Sequence, residues 1–129
     1  MIIDIEYFNS ELLKNDLKML WKTIEERALY EMKWNKKLDT YSKGKDSHQI
    51  DKYRKRYQGK YNCIIDYYHL RINALCDALA KLNEYDLMYI YDSLLVPIGL
   101  KELIKKYDLT SETKSYRKLD KILQIMMRR

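Results

Sequence analysis

The sequence predicts an all-α protein, a long antiparallel helical hairpin followed by a C-terminal trihelical unit resembling a helix-turn-helix. Three observations point there. Only 3 glycines and 1 proline interrupt 129 residues, so breakers are scarce enough that each marks a junction. Apolar residues recur at steps of three and four over long stretches, which is the period of one helix face and not the alternation of a strand. An apolar fraction of 47%, at a length suited to one domain or two small ones, supplies enough side chain to form a core.

Asn9 or Ser10 offers an N-cap to a first helix over about residues 10–40. Its apolar stripe is Leu13, Leu17, Leu20, Ile24, Ala28 and Met32, with Trp21 beside it, and Trp34, Leu38 and Tyr41 continue on a shifted line. Ser42-Lys43-Gly44-Lys45 breaks the chain. A second helix opens at Asp46 or Ser47, where Asp46 and Gln49 have a variant capping-box spacing. Its stripe runs through Ile50, Tyr53, Tyr57, Tyr61, Ile64, Tyr68, Ile72, Leu75, Leu79 and Leu82. A stripe that long requires a partner, either the first helix or a second copy of the chain. Gly59 is the one weak point in this helix, where a bend is expected.

Asn83 caps a third helix with Asp86 in its first turn and Leu87, Ile90, Tyr91, Leu94 and Leu95 as its buried face, ended by Pro97. A short helix, Leu100 to Tyr107, follows the Pro97-Ile98-Gly99 junction. The turn Asp108-Leu109-Thr110-Ser111 leads to a last helix that packs through Tyr116, Leu119, Leu123 and Met126. Two domains are therefore expected, an association hairpin over 1–82 and the trihelical unit over 83–129.

The net charge of +6 is unevenly placed. Residues 35–60 carry 9 basic and 3 acidic side chains, and 99–129 carry 9 and 4, while the remaining segments are net acidic. Segregated cation favours a polyanionic partner, because clustered cations release condensed counterions. In the last helix Lys114, Arg117, Lys118 and Lys121 share one face. Thr113, Lys114 and Arg117 at its start are the candidates for base edges, with Lys118 and Lys121 nearer phosphate. In the other basic block Lys52, Lys55 and Arg56 turn away from the tyrosine stripe and are candidates for phosphate. Ile125 and Met127 interrupt the basic face near its end and belong to packing or to a protein partner.

Other chemistries find little support in the residues. Cys63 and Cys76 lie thirteen positions apart in one expected helix, about 20 Å along its axis, too far to bridge, and read as small buried thiols in a reducing compartment. With His48 and His69 they make no zinc spacing. Phosphate-cradling glycine loops, nucleophile elbows and paired catalytic carboxylates are not found, so no enzyme activity, cofactor or metal is expected. The longest apolar run, Leu94 to Ile98, is too short to cross a membrane. The first residues, Met1-Ile2-Ile3-Asp4-Ile5-Glu6, carry acid where a signal peptide needs base, so a cytoplasmic location is expected.

Asp86, Ile90-Tyr91, Gly99, Lys101-Glu102-Leu103-Ile104, the turn Asp108-Leu109-Thr110-Ser111 and the basic helix to Met126 resemble the sigma-region-4-like helix-turn-helix of phage-encoded late transcription regulators of the RinA and ArpU type. This chain has Asp108 where that pattern has a turn glycine, Ile104 where it has a small residue, and a turn one residue longer. The resemblance, over the C-terminal half, implies a DNA-binding regulator in a host cytoplasm, contacting double-stranded DNA, with homodimerisation through the hairpin. Two alternatives share the same fold: a phage protein that binds and inhibits a host protein such as a defence nuclease, and a small terminase-type packaging subunit.

Overall fold

The structure, a computed structural model, describes residues 9–128, and the acidic N-terminal start noted above lies outside them. The described chain is all α-helical: α1 Ser10–Lys18, α2 Leu20–Ser42, α3 Ser47–Ala80, α4 Glu84–Ile90, a π-helical turn Tyr91–Leu95, α5 Leu100–Lys106 and α6 Glu112–Met127. None of these helices is long and apolar enough to cross a membrane.

The helix starts follow local chemistry. Asn9 accepts from the Glu11 amide, Asn83 from Asp86 and Ser111 from Lys114, each satisfying one orphan donor of a first turn. Asp46 and Gln49 exchange backbone-to-side-chain bonds at 3.2 and 2.8 Å, the reciprocal pattern expected of them. At the far end of α6, the Lys81 ammonium donates to the Met126 carbonyl at 3.1 Å and also to that of Arg128, placing a cation where helix carbonyls are unpaired.

The described chain divides into two compact units, one of residues 9–21 with 73–128 and the other of 22–72. The division differs from the expected boundary at 82/83, because the first helix and the end of α3 join the C-terminal helices. α1 packs on α6 and on the π turn, and α4 and α5 each pack on α6. The buried core, including Leu13, Leu17, Leu75, Tyr89, Ile90, Leu123 and Met126, lies in this first unit.

Residues 22–72 are held differently. Tyr30 and Trp34 stack on Tyr61 at 5.9 and 5.2 Å, and Tyr41 stacks on Tyr53 at 3.9 Å, so the α2 and α3 segments run antiparallel. The long tyrosine stripe of α3 is partly buried within its own unit. α3 passes through Gly59 without interruption.

Four expectations are corrected. The first helix is not continuous: Met19, with φ −98° and ψ 3°, sends its amide back to Asn15, Asp16 and Leu17, and α2 restarts in a new phase at Leu20. Beyond the break Thr23, Arg27, Tyr30 and Trp34 turn inward, while Ile24 is 37% and Met32 65% exposed. Leu87 and Tyr91 are also exposed, while Tyr89, Ile90, Leu94 and Leu95 face inward. In α6, Ser115 and Ile122 are buried and Tyr116 is 54% exposed, since the inward position at that level is taken by the partner of Tyr89. Cys63 and Cys76 are exposed, each one position off the inward stripe.

Candidate nucleic-acid interface on the C-terminal helix

α5 and α6 are joined by a turn with defined geometry. The Leu109 amide donates to the Ile104 carbonyl at 2.9 Å and the Asp108 amide to Lys105 at 3.4 Å, the paired bonds of a Schellman motif. Asp108 has φ 53°, the left-handed conformation that glycine adopts without cost and aspartate tolerates better than most residues. Asp108 therefore takes the backbone conformation of a turn glycine, and Leu109 packs against the core beyond it.

Behind α6 lies a connected polar and aromatic cluster. The Tyr89 hydroxyl lies 2.7 Å from Ser115 Oγ and donates to the Ser115 carbonyl at 3.1 Å, linking α4 to α6. The ring of Tyr89 meets Tyr107 edge-on at 4.9 Å. The Tyr107 hydroxyl donates to Asp92 at 2.6 Å, and the Lys106 ammonium pairs with the same carboxylate at 2.7 Å, linking α5 to the π turn. Each of the Tyr89, Ser115, Tyr107, Asp92 and Lys106 polar tips has a partner, which is the condition for a buried polar network to stabilise and not to cost.

These contacts set the titration of the cluster. The bonds from Lys106 and Tyr107 hold the Asp92 carboxyl below the ordinary carboxylate range, against an opposing effect of burial. Burial, then the bond to Asp92 and its charge, push the Tyr107 phenol well above its ordinary value. Folding lowers the Asp92 value, so the stability it contributes is present above the ordinary carboxylate range and is lost as pH falls through its own lower value. Asp92→Asn is expected to flatten the decline of unfolding free energy in that acid window. Parallel curves for the variant and the parent, measured by denaturant titration at stepped pH, would rule this out.

Thr113, Lys114, Arg117 and Lys121 stand exposed along the outward side of α6. Lys118 does not stand with them: it is partly buried, its ammonium 4.4 Å from the Tyr85 ring centre and 5.2 Å from that of Tyr89. An ammonium over two ring faces is held by their negative quadrupoles and is tied to the protein side of the helix. Ile125 and Met127 are partly buried, with Met127 packed against the core.

Lys52, Lys55 and Arg56 are exposed on α3 in the other unit, the Arg56 guanidinium 5.6 Å from the Tyr57 ring centre. Lys14 and Lys18 of α1 were not anticipated as neighbours of α6. They border a depression of 360 Å³ shared with Tyr116, Ser115 and Leu119. Nothing local in the sequence signals this, because α1 and α6 lie at opposite ends of the chain.

Among the described residues no group of His, Cys, Asp and Glu is placed to hold a metal ion. No protein-family model, curated protein or solved structure matches the chain.

Proposed function

We propose that the chain binds duplex DNA and that α6 is the helix that enters the groove, as a helix-turn-helix regulator would use it. The observation that carries this reading is an outward row of Lys114, Arg117 and Lys121 on a helix fixed from behind by the Tyr89–Ser115 bond. A recognition helix needs both properties: cations free to meet phosphate and base edges, and a rigid mount that fixes their register. Lys114 and Arg117, in the N-terminal half, take the base-contacting role, with Thr113 beside them and Lys121 on phosphate. Lys118 serves as an anchor to the protein. The turn through Asp108 supports the reading, since it holds the short α5 against α6 as the motif requires.

Lys114→Ala with Arg117→Ala is expected to lower duplex affinity about tenfold or more at physiological salt, with helicity unchanged. Unchanged affinity would exclude α6 as the contact.

A second reading is favoured by one surface. Leu87, Met88 and Tyr91 are exposed together around a depression of 330 Å³ on α4 and the π turn, an apolar patch that suits a protein partner. Capture of partners from a host lysate separates the readings. Partners of a DNA regulator disappear on nuclease treatment, and those of a protein inhibitor persist.

A further inference from the structure

We propose that the end of the α2–α3 pair, residues 33–60, is a second phosphate-binding surface that grips a nucleic-acid backbone without reading sequence; this rests on the DNA-binding reading above. Between 33 and 60 the chain has ten cations against three carboxylates, Asp39, Asp46 and Asp51, a net charge of +7 where the whole protein has +6. Among the described residues none of these ten cations takes part in an ion pair. The excess charge of the molecule is thus concentrated here, and carboxylates do not neutralise it.

The cations are ordered, not scattered. Lys33, Lys36, Lys37 and Thr40 recur at helical spacing on one face of α2 and, with Tyr41 and Tyr53, border an open depression of 510 Å³. Like charges three and four residues apart repel one another along a helix, so this face is strained by its own charge and relieved by an anion. Lysine suits that role as a hydrated point charge with three donors.

The aromatic residues at this end decide what part of a nucleic acid is bound. Tyr41 and Tyr53 stack on each other at 3.9 Å with their planes 13° apart. Lys45 lies 5.5 Å from the Tyr41 ring centre, and Lys37 lies 5.7 Å from that of Tyr57, each over one ring and exposed where Lys118 is partly buried over two. These rings are occupied as a scaffold that spreads the cations, so they offer no stacking platform for bases such as single-strand binders present. What remains for a ligand is charge, and the matching ligand is a row of phosphates.

The test compares the full chain with Lys33→Gln, Lys36→Gln and Lys37→Gln together, on a candidate operator duplex and on a scrambled one, across a salt series. The expected result is a log-affinity against log-salt slope shallower by about 2 to 3, with the same fold-loss on both duplexes. Lys36→Gln alone should give a slope shallower by about 1, which keeps the test decisive should the triple variant lose helicity. An unchanged slope in folded variants overturns the proposal. If heparin affinity falls while duplex affinity does not, the nucleic-acid occupant is wrong and the proposal is equally overturned. Loss with Lys114→Ala and Arg117→Ala but not with the lysine triplet refutes this surface and leaves the α6 reading standing. The reverse pattern supports this surface and refutes α6.

Discussion

Replacing Tyr89 with alanine is expected to cost about 3 to 5 kcal/mol of folding stability, the range for removing a fully buried aromatic ring. Tyr89 is 0% exposed. Its ring lies against Tyr107, its hydroxyl meets Ser115, and the Lys118 ammonium rests over it. Alanine would remove all three contacts and leave the buried Ser115 hydroxyl without its partner. Tyr89→Phe keeps the ring and loses only the hydroxyl bonds, so its expected cost is about 1 to 3 kcal/mol. Domains typically have about 5 to 15 kcal/mol in total, so the alanine variant gives up a large share of the stability and the phenylalanine variant a smaller one. Urea denaturation followed by circular dichroism distinguishes them. Equal stability of Tyr89→Phe and the parent would show that the Ser115 bond contributes nothing.

Leu17→Ala is expected to cost about 2 to 5 kcal/mol even though Leu17 lies more than ninety positions from the helix it supports. Leu13 and Leu17 are both 0% exposed, and α1 packs on α6 and on the π turn. A hydrophobic core that takes one wall from each end of the chain loses integrity when either wall is removed. For the same reason a fragment of residues 83–129 is expected to be unfolded in isolation, since it lacks Leu13, Leu17 and Leu75 of the core cluster. A cooperative thermal transition from that fragment would refute the packing role of α1.

What could be read from the sequence was mostly local or strictly periodic. The caps at Asn9 and Asn83 and the Asp46–Gln49 exchange involve residues two or three apart, so composition and spacing suffice to place them. The α3 stripe from Ile50 to Leu79 keeps steps of three and four, and every member is at least partly buried. The failures arise where tertiary partners choose the face. Ile24 and Met32 continue the spacing of Leu13 and Leu17, yet the break at Met19 rephases the helix and its aromatic partners on α3 select Tyr30 and Trp34. Tyr116 is the larger side chain, but Ser115 faces inward because Tyr89 takes it as partner. Lys118 has the spacing of Lys114 and Lys121, and only the positions of Tyr85 and Tyr89 reveal that it is engaged.

The π turn has a consequence for numbering. An α-helix advances 100° per residue, so one residue added to a turn offsets every later side chain by more than a quarter of a revolution unless the helix widens locally to absorb it. Tyr91–Leu95 absorbs such a residue, with Val96 donating to the Tyr91 carbonyl five positions back at 2.8 Å. The widened turn leaves Asp92 inward, where Lys106 and Tyr107 meet it. The angular register between the chain before residue 91 and the chain after residue 95 is thus set by a count of backbone units.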